Sequence, residues 1–284
     1  METQELPLID LSAELAKLTM FHRTPGSTPA ERKGSVAKLA DYRDGLLLAL
    51  KASGTDHWER HLAGDELIHM LDGTATLEIV CDDGPPRCFE LSAGTIAVIP
   101  EGVWHRFLSP EGNAHLGATP FPGDTITLDV NDPRTAPDAG ATIAAREPTI
   151  VDLDAELAKL TLFRGRTPQS TAADRKGSST RLAVYRDGGL GATKFAGKGH
   201  WEYHPADELI HILDGAATLE IMRGDSDAPR TFALGAGMLT VIPQGTWHRF
   251  QSADGVTLMT ATPAPSTIIE FDVDDPRTVA HEPA

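Results

Sequence analysis

The chain has 284 residues, 40% of them hydrophobic and 23% charged, which suits a globular protein of one large domain or two ordinary ones. Its formal net charge of −16 repels phosphate backbones and anionic bilayers, so neither nucleic acid nor membrane is an expected partner. No run approaches the ~18 apolar residues of a membrane span and no basic-then-apolar leader opens the sequence, so a cytoplasmic location is expected.

In chain order the first signal is a short helix around Ser12–Leu18. Strand-like runs follow at 46–52, 74–80, 95–100, 115–119 and 125–130, β-branched or alternating stretches set between Gly, Pro, Asp and Asn turns. Asp72-Gly73 reads as a two-residue hairpin signal, as does Asp214-Gly215 later. Cys81 and Cys88 flank a turn-like segment and are expected to be reduced and unpaired. The stretch 136–148, rich in small residues and proline, reads as a linker.

From there the chain repeats itself. IDLSAELAKLTMFH from residue 9 returns as VDLDAELAKLTLFR from 151, with a second helix expected at Asp154–Leu160. DELIHMLDGTATLEI from 65 returns as DELIHILDGAATLEI from 207, and VIPEGVWHRF from 98 as VIPQGTWHRF from 241. The repeat of ~140 residues is domain-sized. The expected organisation is an N-terminal domain at 1–135, a linker at 136–150 and a C-terminal domain at 151–284. Many short strands in each unit indicate a sandwich or a small barrel.

The residues that carry chemistry cluster at two places in each repeat. His57, Glu59 and His61 alternate along a strand and so share one face, while Trp58 and Arg60 take the other. A turn at Ala63-Gly64 returns the chain to Glu66. Later comes Gly94, five residues, Pro100, Gly102 and His105. The second repeat presents His200, Glu202, His204 and Glu208, then Gly237, Pro243, Gly245 and His248. All four tryptophans, at 58, 104, 201 and 247, sit beside these motifs.

These motifs resemble those of the cupin superfamily, and the resemblance covers both halves. His61, Glu66 and Gly73, and His204, Glu208 and Gly215, match the first cupin motif from its second histidine onward. Gly94 to His105 and Gly237 to His248 match the second motif in every spacing. Two departures stand out. Glu59 and Glu202 occupy the position of the family's first motif histidine, and Ser109 and Ser252 replace its terminal asparagine while keeping a hydrogen-bond donor.

The resemblance implies an all-β fold of two tandem cupin barrels (double-stranded β-helix, or jelly roll) with short peripheral helices. It implies one divalent ion per barrel, Fe, Mn, Ni or Zn. The ligands carried over by position are Glu59, His61, Glu66 and His105, then Glu202, His204, Glu208 and His248. Two carboxylates converging in a barrel call for a cation. The alternative is a polar interior without metal, with Glu59 paired to Arg106. His57 and His200 replace the glutamates as ligands, stand behind them, or lie at the barrel mouth. Glu59, His57, Glu202 and His200 are the candidate catalytic groups, Glu59 or His57 acting as base.

The function expected from the resemblance is a metal-dependent enzyme on a small molecule, of the dioxygenase type of oxidoreductase. A metal-dependent isomerase or lyase, or a non-catalytic cupin that binds or senses a small ligand or metal, is the alternative. Homo-oligomer formation is left open.

Overall fold

The computed structural model describes residues 6–81, 84–120, 125–136, 147–222, 228–264, 267–269 and 273–278. Most of the expected linker lies outside the described residues. In chain order the first elements are β1 (Leu8–Asp10) and helix α1 (Leu11–Ala16). The strands that follow are β2 (Phe21–Arg23), β3 (Val36–Tyr42), β4 (Gly45–Thr55), β5 (Trp58–His61) and β6 (Glu66–Ile79). Then come β7 (Arg87–Ser92), β8 (Thr95–Ile99), β9 (His105–Thr119), β10 (Thr125–Leu128) and β11 (Thr149–Asp152). Helix α2 (Leu153–Ala158) opens the second repeat. It continues with β12 (Phe163–Arg166), β13 (Ser179–Tyr185), β14 (Gly188–Lys198), β15 (Trp201–Tyr203) and β16 (Glu208–Met222). The last strands are β17 (Arg230–Gly235), β18 (Met238–Ile242), β19 (Trp247–Thr262) and β20 (Thr267–Ile269).

Among the described residues the fold is all-β: two ten-stranded sheets, each rolled into a jelly-roll barrel, with two short α-helices. In the first, the long strand β9 is the hub, pairing antiparallel with β4, β5 and β6. In the second, β19 plays the same part against β14, β15 and β16. Hydrophobic patterning explains this placement. All five residues of β8, TIAVI, are buried, as a strand covered on both faces requires. Ile68, Met70, Leu77, Ile79, Leu91 and Ile99 form the apolar core of the first barrel. Ile210, Ile212, Leu219, Ile221, Leu234 and Ile242 form that of the second.

The compact units are residues 12–153, and residues 1–11 with 154–284. They differ from the expected bounds of 1–135 and 151–284 because each repeat's first strand completes the other repeat's sheet. β1 runs antiparallel to β18, Ile9 opposite Leu239, and β11 runs antiparallel to β8, Val151 opposite Ile96. Ile9, Leu11, Val151 and Leu153 are buried there. A short apolar strand has no stability alone, and each caps an otherwise open sheet edge.

The Asp-Gly pairs are not hairpins. Asp72-Gly73 and Asp214-Gly215 lie inside the continuous strands β6 and β16, where the register against β9 and β19 slips. Gly73 and Gly215 have φ of 73° and 75°, and a Cβ on either would come 2.2 Å from a backbone oxygen of the facing strand. Glycine is needed here for a bulge that bends the strand around the barrel, so the same dipeptide serves a different geometry. Cys81 and Cys88 are unbridged, as expected. Among the described residues, no helix is long and apolar enough to cross a membrane.

Candidate metal centres

The site in each barrel is assembled by three strands. In the first, β5 supplies Glu59 and His61, the start of β6 supplies Glu66, and the start of β9 supplies His105. The register places Glu59 directly opposite His105. The turn before β6 closes on itself, Asp65 accepting the Glu101 N–H at 2.9 Å and His61 the Gly102 N–H at 2.7 Å through its carbonyl. The two halves of the motif are thereby locked together.

His61, Glu66 and His105 are buried, with Glu59 partly so at their edge. One donor atom from each of the four lies within 4.8 Å of all the others. His105 Nε2 is 3.1 Å from Glu66 Oε2 and 3.7 Å from Glu59 Oε1, and His61 Nε2 is 3.3 Å from Glu66 Oε2. In the second barrel Glu202 faces His248 across β15 and β19. His248 Nε2 is 3.0 Å from Glu208 Oε2, and His204 Nε2 is 3.4 Å from Glu208 Oε2 and 3.6 Å from Glu202 Oε2.

These separations suit a shared cation. Bonds of roughly 2.0–2.2 Å from nitrogen and carboxylate to a divalent ion put neighbouring donors about 3–3.5 Å apart. His204 supplies a second test, since its buried Nε2 lies 3.4 Å from Glu208 and 3.6 Å from Glu202 without a well-formed hydrogen bond to either, the place a cation would take. A divalent metal ion in each barrel fits the residues present.

The surroundings orient the donors. His105 Nδ1 lies 3.0 Å from the Val103 carbonyl and His248 Nδ1 lies 2.9 Å from that of Thr246. A carbonyl only accepts, so Nδ1 carries the proton and Nε2 faces the centre. Thr119 donates to Glu66 Oε1 at 2.6 Å, and Thr262 to Glu208 Oε1 at 2.5 Å, leaving each Oε2 turned inward. These threonines close β9 and β19 and were not among the residues picked from sequence. Their only signal is their equivalent place in the two repeats.

His57 and His200 stand behind the edge carboxylates. His57 Nε2 is 3.7 Å from Glu59 Oε2, and its Nδ1 is 3.3 Å from Asp56. His200 Nε2 is 3.1 Å from Glu202 Oε1. Burial alone would lower the His57 pKa, but the hydrogen bond and charge of Glu59, with the charge of Asp56, raise it above its ordinary value. Burial likewise works to raise Glu66 and Glu202, and the histidines beside them hold both well below the carboxylate range. Both clusters therefore keep anionic carboxylates in the barrel interior.

Arg106 does not pair with Glu59. Its Nε donates to Glu78 at 2.6 Å and its guanidinium lies over Trp58 at 4.3 Å, on the opposite face of the sheet. Arg249, Glu220 and Trp201 repeat the arrangement at 2.6 Å and 4.2 Å. The tryptophans are core residues, Trp58 with Trp104 and Trp201 with Trp247. Ser109 and Ser252 use their hydroxyls as donors, to Thr74 and Ala216 carbonyls. His69 and His211 are buried and belong to neither donor group.

The Cupin domain family matches residues 194–261, which span β14 to β19 and hold all four donors of the second centre. The first repeat reproduces its fold and donor set. The chain has the fold of a two-domain cupin, its second domain matching the family. Acireductone dioxygenases from two strains of Rhodopseudomonas palustris are each 29% identical to it over 106 residues, 37% of this chain. The matched stretch spans 59% of the length of those relatives. Among solved structures, the bicupin resembles oxalate decarboxylase from Bacillus subtilis, with a TM-score of 0.52 and 12% identity over 82% of this chain and 73% of that one. A variant of that enzyme gives 0.50 at 13% identity, covering 82% and 74%. At such identity the likeness is one of fold.

Proposed function

We propose that this bicupin is a metal-dependent enzyme acting on a small molecule in the cytoplasm, and that its reaction is of the dioxygenase type. The observation that carries the reading is the convergence of two carboxylates and two imidazoles on one point in the first barrel, and of Glu202, His204 and His248 in the second, with Glu208 against both imidazoles. The partial likeness to acireductone dioxygenases supports the choice of oxygen chemistry.

Glu59, His61, Glu66 and His105 would hold the ion of the first barrel, and Glu202, His204, Glu208 and His248 that of the second. The bound ion, iron, manganese, nickel or zinc by its donor set, would supply a Lewis-acidic centre where substrate and dioxygen meet. The chain's own residues do the rest. Thr119 and Thr262 fix the carboxylates. Val103 and Thr246 carbonyls fix the imidazoles. His57 and His200, each beside a glutamate at the open edge, are placed to hold or take a substrate proton at Nε2. The rings of Phe107, buried, and Phe250, half-buried, pack edge-on to His105 and His248 and give each imidazole an apolar neighbour.

The test is metal loading followed by oxygen-electrode measurement with small substrates. Iron-dependent oxygen consumption supports the reading. Turnover without oxygen consumption would replace it with isomerase or lyase chemistry.

A further inference from the structure

The two barrels differ at one position that decides the charge of their interiors. Arg23, at the end of β2, and Arg166, at the end of β12, are equivalent: each is followed by Thr-Pro and each lies beside a glycine of its parallel partner strand. In the first barrel Arg23 forms a buried ion pair with Asp56. In the second barrel the residue equivalent to Asp56 is Gly199. Both make the same backbone bond, Asp56 N–H to Phe107 O at 2.9 Å and Gly199 N–H to Phe250 O at 2.8 Å. A Cβ on Gly199 would stand 3.7 Å from the Arg166 guanidinium carbon. The carboxylate that neutralises Arg23 is thus absent from Arg166.

Arg166 has no hydrogen bond or ion pair from its guanidinium among the described residues, and its Nε is buried without a partner. It rests on the Phe195 ring at 4.5 Å, where the first barrel has Ala52. It lines a cavity of 170 Å³ together with Arg175, Glu202 and Glu208. The same cavity has hydroxyls at Ser179, Thr193 and Thr260, where the first barrel has Val36, Leu50 and Gly117.

Around the first centre Asp56, Glu59 and Glu66 offset Arg23 and Arg32. Around the second only Glu202 and Glu208 offset Arg166 and Arg175. With a dication in each, the second interior is more positive by one charge, and its extra cation is an arginine, which does not deprotonate. Glu202 acts on Arg166 only through space, and a partly buried guanidinium without a direct ion pair is costly unless a ligand supplies one.

We propose that the C-terminal barrel takes a small organic carboxylate, gripped by Arg166 beside the metal centre, and that the N-terminal barrel does not. A volume of 170 Å³ admits a molecule of roughly six non-hydrogen atoms, taking ~30 Å³ per water as the scale. The planar fork of an arginine matches a carboxylate in two parallel hydrogen bonds. Asp56 is the built-in equivalent of that carboxylate in the first barrel, so that interior is already satisfied. The proposal rests on the reading of the second barrel as a substrate site.

The experiment is calorimetric titration of the zinc-loaded full chain with glycolate and malonate, and with glycolamide as a neutral control. Expected are one carboxylate per chain and little binding of the amide. Gly199→Asp, which copies the sister barrel, and Arg166→Gln should each lower carboxylate affinity at least tenfold while zinc content and melting temperature stay at wild-type values. Carboxylate affinity within twofold of wild type in either folded variant would overturn the proposal, as would two equal carboxylate sites per chain. The titration reads binding without turnover, so lack of oxygen uptake does not bear on it. Repeating it on metal-free protein separates loss of the arginine contact from failure of the metal reading.

Discussion

His248 Nε2 lies 3.0 Å from Glu208 Oε2, at the end of a chain of contacts that begins with a backbone carbonyl and ends with a threonine hydroxyl. Imidazole and carboxylate are each held on their outer side, so their inner atoms face one point. Changing His248 to Ala should lower the metal content from two ions per chain to one. Glu66→Gln should do the same for the other barrel. Elemental analysis of the purified variants reads the stoichiometry directly.

The edge residues separate ligand from supporting base. Glu59→Ala is expected to empty the first centre, because Glu59 is the donor opposite His105. His57→Ala should retain the ion with affinity lower by roughly 10–100-fold, the usual cost of losing a group behind a ligand. Competition with a coloured chelator measures both. Full occupancy in Glu59→Ala with loss in His57→Ala would reverse the assignment.

Thr262→Val removes the hydroxyl that holds Glu208 Oε1 while preserving shape. Metal affinity of the second barrel should again fall roughly 10–100-fold, with the fold intact by circular dichroism. Thr119→Val should act only on the first.

Metal uptake should release protons. Burial works to lower the pKa of His204, but Glu202 and Glu208 outweigh it and raise the pKa to about 10 in the metal-free protein. His204 is therefore cationic at neutral pH and must lose its proton to bind a metal. Because the proton competes, affinity should rise by about tenfold per pH unit between pH 6 and 8 and weaken on acidification. Titration in weakly buffered solution with an indicator dye counts the proton.

Gly215→Ala tests the bulge. The new Cβ would sit 2.2 Å from the Gly255 oxygen at a φ of 75°, so the strand must shift. A loss of about 1–3 kcal/mol is expected in urea unfolding, from backbone strain alone. A neutral outcome would show that the strand bends without needing a left-handed residue.

Much of the site was legible because metal donors on strands have a fixed grammar. Glu59 and His61 alternate on one face, and the spacing to Glu66 and His105 is set by a tight turn and by the pairing of β5 with β9. What a single strand cannot express was not legible. The exchange of β1 and β11 depends on which sheet edge is open, and short apolar strands such as Leu8–Asp10 carry no address. Asp72-Gly73 has the chemistry of a hairpin, and only the long pairing of β6 with β9 turns it into a bulge. Arg106 was offered as a neighbour for Glu59, yet strand alternation sends it to Glu78 and Trp58. The difference between Asp56 and Gly199 was visible as letters, but its meaning needed Arg23 and Arg166 from another strand.

The most direct test is elemental analysis combined with anomalous scattering from crystals grown after loading with iron, manganese, nickel or zinc in turn. The account predicts two ions per chain, one bonded to Glu66 and one to Glu208. A chain that stays metal-free with every ion, its glutamates bonded only to histidine and threonine, would contradict it.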